Sequence, residues 1–562
     1  MLNHRARSPK ERGQILAFVA LIAVALIGFA GLVNDLGYLY VVRRSMQTAT
    51  DAAAVAAANQ YSANQSSWSQ AAKDVAGLNG FSDGKNTTIV TPNQIATPNG
   101  YPSGAYFQVT ITHSVPTFFL RVLGMSKFNM STTALSGNVN AASTIIALNG
   151  TNSGSGITVD NGAVVTVGGG TSISHGGCGV VSNASLTNNG SISAPSIGVV
   201  GGCSGTRPAN LRTNVPPASN PFAFLSAPSG NTCSRRTGNP GRKTCSSTQT
   251  VSPAVYTDTN HCGYVVTSPL NKGSYTPISV TFNGGTYGDH ISIGGTASGQ
   301  PSGTVQNATV TFNPGQFQCD QSSSEEESSG PSSIEVGSSC SRSTIAFNSG
   351  NYTFLGNVSI ANNNTVTLSP GTYYGGITIQ DGPQGSPNVT FQPGTYYLGG
   401  GGLKVSGGCS LHGSGVTFYN TKDSSSLGST SGPISIGANS DDDHVQCSLS
   451  APKSGSMKGV LVFQDKAIGS SSGPSWHSWW WSDSSSGAHN CSVQGSSGST
   501  FDGAVYTPNA SLKYKGSSSG SGYTVVVADS IELTGGSSTQ VSCDYDSLSD
   551  GLSPIKTSAL FK

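Results

Sequence analysis

Few side chains in this sequence could do chemistry, and those few come in short clusters. Asp441-Asp442-Asp443-His444 sets three carboxylates beside an imidazole, a combination suited to calcium or to acid/base cleavage of a polysaccharide. It stands beside a Ser/Gly-rich stretch, so a solvated loop is the competing and favoured reading. Glu325-Glu326-Glu327 sits in polar filler between Cys319 and Cys340 and reads as a charged loop tip. Asp320-Gln321-Ser322-Ser323-Ser324 fits a D-x-S-x-S ion-site pattern but lacks the hydrophobic strand that should run into its Asp. Trp476-His477-Ser478-Trp479-Trp480-Trp481 gathers four of the five tryptophans within six residues. Exposed indoles stack on sugars, insert at membrane interfaces or anchor protein partners, whereas a loop folded back would use them as a cap. Trp476, His477, Trp479, Trp480 and Trp481 are therefore the candidate recognition loop. No catalytic residue, metal ligand or cofactor is assigned.

All 11 cysteines fall between Cys178 and Cys543, a distribution suited to an oxidising compartment. Sequence-adjacent pairings, Cys178 with Cys203, Cys233 with Cys245, Cys319 with Cys340 and Cys447 with Cys491, are candidate staples, although connectivity does not follow from spacing. No C-x-x-C occurs, which removes zinc-ribbon and thioredoxin-like readings. Nucleic-acid binding is also excluded, because 27 basic residues are offset by 26 acidic ones and only 9% of residues are charged.

Ile15 to Val33 is an unbroken apolar run preceded by His4, Arg5, Arg7, Lys10 and Arg12. Nineteen residues suffice for a helix to cross a hydrocarbon core of roughly 30 Å. The flanking basic residues predict a cytoplasmic N-terminus, with the bulk of the chain periplasmic or extracellular. A cleaved signal peptide is the alternative, but the run is longer than a usual h-region and continues without a turn signal into an Ala-rich helix, Arg43 to Gln60.

Gly13, the apolar span, Asp35 with Gly37, Met46-Gln47, Asp51-Ala52-Ala53-Ala54 and Ala56-Ala57-Ala58 follow one another in an order that resembles the N-terminal anchor of TadG-like proteins of Flp (tight adherence) pilus systems. A looser similarity runs on through Asn79-Gly80, Phe107 to Thr112, Thr117-Phe118-Phe119-Leu120 and Gly124. The resemblance implies an inner-membrane component that works with other pilus-assembly or pseudopilin-like proteins, with Gly13, Asp35, Gln47, Asp51, Ala52 and Ala53 as signature positions. Type IV prepilins carry a Glu five residues after the cleaved Gly, whereas Phe18 stands there after Gly13. An uncleaved anchor is expected, not the repeating filament subunit. Some TadG-like proteins carry a von Willebrand A domain, but the Asp320 match lies in a low-complexity loop.

The remainder beats like stacked strands. Val280-Thr281-Phe282 recurs as Val310-Thr311-Phe312, Ile345-Ala346-Phe347, Val366-Thr367-Leu368, Val389-Thr390-Phe391 and Val416-Thr417-Phe418, several followed by Pro-Gly and Tyr. Alternation turns Val and Phe inward, Pro-Gly predicts a type II turn, and one unit alone cannot bury its apolar face. The expected fold is mainly β: a parallel β-helix-like solenoid preceded by a transmembrane helix and a small α+β segment, with a β-sandwich as the alternative. The expected organisation is a basic tail (1–14), the transmembrane and Ala-rich helix (15–60), a pseudopilin-like α+β segment (61–140), the solenoid (141–545) and a C-terminal tail (546–562). The longer strands near 459–463, 501–508 and 523–533 read as terminal coils. The function implied is a non-catalytic, membrane-anchored component of Flp/Tad pilus assembly or adhesion that touches surface glycans. The alternative is a β-helical polysaccharide-active enzyme or a carbohydrate-binding surface protein.

Overall fold

A computed structural model describes residues 9–63, 67–98, 104–140, 143–150, 154–168, 178–223, 225–228, 243–245, 249–251, 264–266, 270–271, 274–275, 277–287, 291–294, 305–317, 332–337, 339–422, 432–437, 445–466, 468, 491–496, 498–515, 522–535, 539–545, 548, 554 and 556–561. The chain divides into two compact units, one formed by 1–140 with 556–562 and the other by 141–555.

In the first unit, α1 (Pro9–Ala63) is one continuous helix of 55 residues. Its early turns leave Phe18, Leu21, Ile22, Val24, Leu26, Ile27 and Phe29 exposed, and the stretch is apolar and long enough to cross a membrane. The later turns bury Leu39, Met46, Ala49, Ala53, Ala54, Ala57 and Ala58, a stripe spaced by three, four and seven residues. That stripe forms one core with Phe107, Val109, Ile111, Met130 and Ala134 of an antiparallel sheet and with Ala72 and Ala76 of α2 (Trp68–Leu78). The Ala-rich helix therefore does not project bare into solvent: its alanines let helix and sheet approach closely, which is what their small size supplies. The sheet runs β1 (Ile89–Ile95), β2 (Gly104–Pro116), β3 (Lys127–Asn140) and then Lys556–Phe561, which pairs antiparallel with β3. Part of the expected C-terminal tail is thus a strand.

The second unit is a parallel β solenoid, not a sandwich: its principal ladders pair in parallel on three faces. The first face stacks Ser279–Phe282, Thr309–Phe312, Thr344–Phe347, Thr365–Leu368 and Asn388–Phe391 in matched register. The second takes Gly285–Tyr287, Gly315–Phe317, Tyr352–Phe354, Gly371–Tyr373 and Gly394–Gly399. The third takes Ile291–Ile293, Ser332–Val336, Asn357–Ala361, Ile377–Gln380 and Leu403–Val405. Equivalent rings stack up the interior: Phe282 on Phe312 at 4.7 Å, Phe312 on Phe347 at 4.6 Å, and Tyr287 on Phe317 at 5.1 Å.

The repeat's Tyr is buried, and its hydroxyl donates to the carbonyl four residues back: Tyr287 to Asn283 (2.7 Å), Tyr352 to Asn348 (2.9 Å), Tyr373 to Ser369 (2.6 Å) and Tyr396 to Gln392 (3.0 Å). Each Tyr thereby ties down the corner it follows. At Pro314-Gly315 and Pro370-Gly371 that corner is not a type II turn, since neither Gly takes the positive φ such a turn requires, whereas Gly394 after Pro393 has φ +139°. Gly315 and Gly371 already belong to the next strand, and a Cβ at Gly371 would run into the Tyr352 carbonyl of the coil beside it, so Gly serves close coil-to-coil approach.

Two further expectations are corrected. Val416–Thr421 lies on the second face, with Phe418 opposite Tyr396; the first-face strand of that coil is Ser410–Ser414, where Gly413 opposes Phe391. A Cβ at Gly413 would press on Val416, Phe391 and Leu449, and Phe418 meets Phe391 edge-on at 5.0 Å from the second face. The strands around 460, 505 and 525 are not terminal either. Thr524–Leu533 carries Ile145–Ala147 and Ser155–Val159 as its next coil, and the stack continues through Gly179–Ser182 and Ser196–Val199 to Leu211–Thr213.

After residue 213 the chain turns back across these coils. Val215 bonds to Val199, Ala218 exchanges bonds with the Asn183 side chain, Asn220 donates to the Tyr506 hydroxyl, and Lys466 donates to the Ala223 carbonyl. Phe222 packs on Tyr506 in a second apolar layer that includes Tyr419, Phe463, Val525 and Val527. These strands are apolar on both faces because a strap covers their outer side.

Candidate functional site

Asp35 is the most completely built polar position of the first unit. It lies just past the apolar run, is 1% exposed, and its carboxylate accepts the backbone N–H groups of Phe118 (3.1 Å), Phe119 (2.8 Å) and Leu120 (2.7 Å). Those three donors open a short 3-10 turn, Leu120–Leu123, in the connection between β2 and β3. A turn's first N–H groups have no partner within it, and an acid supplied from α1 satisfies them. Thr117 closes the connection by donating to the Met125 carbonyl. Tyr38 of α1 meets Phe118 edge-on at 6.0 Å.

Of the other signature positions, Gln47, Ala52 and Ala53 lie on or beside the part of α1 that meets the sheet. Gly13 lies within α1. Gln47 donates to Asp51 one turn on at 2.7 Å, and Ala53 is fully buried against the sheet while Ala52 is half-buried beside it. Thr50, a position the sequence reading passed over, bonds to Thr132 of β3 at 2.6 Å, and Asn138 donates to the Ala58 carbonyl at 2.9 Å.

On the solenoid, Trp476, His477, Trp479, Trp480 and Trp481 lie outside the described residues, as do Asp441 to His444, Glu325 to Glu327 and Asp320 to Ser324. Among the described residues no group of three His, Cys, Asp or Glu side chains converges on a metal-sized site. Asp502 lines a cavity of about 10 Å³ with Tyr514, Thr524 and Ser542, room for a single water. Burial pushes its carboxyl up to about 6, against a smaller opposing pull from Lys453. Asp160 is raised by burial and then by Glu532, which pairs with Lys513 at 3.2 Å.

The cysteines bear on redox chemistry. Cys178 is bonded to Cys543, not Cys203, across 365 residues. Cys203, Cys340, Cys447 and Cys491 are free thiols, so the Cys319–Cys340 and Cys447–Cys491 pairings are also wrong; Cys233 lies outside the described residues. Burial pushes the Cys340 and Cys491 thiols up to about 12. Held protonated at neutral pH, they are core side chains and not nucleophiles.

The solvent side of the first face carries two in-register columns: Ser279, Thr309, Thr344, Thr365, Asn388 and Ser410, beside Thr281, Thr311, Ala346, Thr367, Thr390 and His412. No Lys, Arg, Asp or Glu stands in either column. Such a face offers hydroxyl and amide groups at the strand spacing of about 4.8 Å.

A long apolar N-terminal helix docked on a sheet, followed by a β solenoid with a polar, weakly charged face, defines a membrane-anchorable β-solenoid protein. Residues 13–60 match the Tad family model, described as Flp pilus-assembly TadE/G-like, which associates the chain with Flp/Tad pilus assembly. No curated protein and no solved structure matches the chain.

The sequence pointed to Asp35 but not to its partners, because backbone amides carry no residue-type signal. The trace that could have found them is Thr117-Phe118-Phe119-Leu120 with Gly124, where apolar residues crowd a tight turn.

Proposed function

We propose that this protein is a membrane-anchored, non-catalytic component of Flp/Tad-type pilus assembly or surface adhesion, with its N-terminus cytoplasmic and its solenoid periplasmic or extracellular. The observation that carries this reading is the TadE/G-like segment itself, residues 13–60, in which an apolar run leads without a break into an alanine stripe packed on a sheet. The basic residues before the run favour the N-in orientation. The solenoid's regular outward columns of Ser, Thr and Asn support a body built for display and not for turnover. Its partners in this reading are the inner membrane and other pilus-assembly or pseudopilin-like proteins.

The test is protease accessibility in intact cells and spheroplasts, read with antibodies to both ends and with the mature N-terminus sequenced. A full-length chain whose body is cut only from outside the inner membrane supports the reading. A mature chain that begins beyond residue 33 and is free of the membrane overturns it.

The uncharged columns favour a second reading, binding of neutral surface glycans by the first face. Retention of the full chain on a neutral polysaccharide matrix, unchanged by salt, supports it; free passage through the matrix removes it.

A further inference from the structure

The connection between β2 and β3 is unusual for a loop beside a polar sheet, because its side chains are apolar and turned outward. Val122 is 86% exposed, Phe118 63%, Met125 51% and Phe119 44%. They are not scattered around the unit. Phe119 packs on α1 at Gly31, where a Cβ would overlap its ring. Gly31 lies two residues inside the end of the apolar run at Val33, about 3 Å along the helix axis.

We infer that this connection is a membrane wedge: Phe118, Phe119, Val122 and Met125 insert into the bilayer leaflet beside α1. The inference rests on the reading that α1 spans the membrane, and geometry then leaves little freedom. If Gly31 is at membrane depth, the ring in contact with it is too, and the turn one step further along the loop shares that level. Continuity with the span commits the occupant to lipid. Arg121 stands within the apolar set and Lys127 follows it, and both side chains are long enough to snorkel, with the charge in the headgroups and the stem among the acyl chains. Tyr38 and Tyr40 stand about 8 and 11 Å further along α1 than Val33, on the headgroup side of the span where interfacial aromatic belts sit, and Tyr38 meets Phe118 there.

Asp35 is what makes this arrangement tolerable. Polar backbone groups entering a bilayer need partners within the protein, and the carboxylate satisfies three consecutive N–H groups at the turn's leading edge. In return those amides shield an acid that would otherwise face hydrocarbon at the end of the span. Gly31 and Asp35, one helical turn apart, thus fix the wedge against α1.

The experiment uses the full chain in vesicles of phosphatidylcholine and phosphatidylglycerol, with a photoreactive phenylalanine analogue replacing Leu26, Val122 or Lys85 in separate preparations. Lipid adducts are read by mass. Adducts at positions 26 and 122 but not at 85 support the wedge. Adducts at 26 with none at 122 overturn it while leaving the anchor intact. A cross-link from 122 to a second copy of the chain, in place of lipid, overturns it in favour of self-association. No adduct at 26 overturns the anchor and the wedge together. Adding Asp35→Ala should abolish the adduct at 122 and leave that at 26 unchanged; an undiminished yield at 122 would show that Asp35 does not hold the wedge in place.

Discussion

Asp35 and Asp502 are both carboxylates withdrawn from water, with opposite consequences. Asp35 accepts three N–H groups, so Asp35→Ala strips the side-chain acceptors from the leading edge of the turn, and Asp35→Asn leaves one oxygen. Hydrogen exchange at Phe118, Phe119 and Leu120 should report about 2–4 kcal/mol of lost protection for Ala and less for Asn. Asp502 has no comparable set of donors, and burial raises its pKa to about 6. The folded state therefore binds this proton more tightly than the unfolded chain does. Stability should fall as pH rises from about 4 to about 6, with the full penalty in place at neutral pH. Asp502→Asn should gain about 1–2 kcal/mol at pH 7, allowing for partial exposure, and nothing below pH 4. Equal gains at both pH values in thermal melts of the full chain would contradict that account. At this scale the sequence was legible where residue type sets the role, as in inward Phe312 and outward Thr311. It was silent where the partner is backbone, as with Asp35, and where a hydroxyl bonds a carbonyl, as with Tyr373 and Ser369.

Among elements, the second half of α1 depends on small side chains on one face only. Ala53→Leu forces three added heavy atoms into contact with the sheet and should cost about 1–3 kcal/mol, seen as a lower melting temperature of the first unit. Ala52→Leu, half-buried beside it, should cost far less. Comparable losses would place the stripe on the wrong face. The run of alanines was plain in the sequence and promised a helix, but composition alone does not say which alanines meet a sheet formed by residues far along the chain. The solenoid repeat shows the same division. Its V-T-F beat was readable because a half-buried strand alternates with period two. The sixth unit misled because Val416-Thr417-Phe418 repeats the wording of the first face while lying on the second, and only the opposed Gly413 reveals the exchange. Pro-Gly misled in another way, since a glycine needed for close packing looks the same in sequence as one needed for a turn.

At the level of the whole chain, the solenoid's first coil rests on its last. Ile145–Ala147 pairs with Val526–Ala528 on one side and Val180–Ser182 on the other, so both ends of the 141–555 unit enter midway along the stack. No feature of the sequence announces this, because strands 145–167 and 524–541 are each ordinary members of the repeat. The Cys178–Cys543 bond lies at this seam and closes a loop of 365 residues. Replacing both cysteines by serine should cost on the order of 3–5 kcal/mol, and melts of the parent chain should shift on reduction while those of the double variant do not. A seam between beginning and end also imposes a schedule on biogenesis. As the chain is synthesised, the coils of 145–213 are delivered early with the strand edge at Ile145–Ala147 uncovered, and the segment that covers it arrives only after residue 524. Until then the nascent protein carries an open template for mispairing, so a truncation that stops short of this segment yields a sticky product and not a shorter working one.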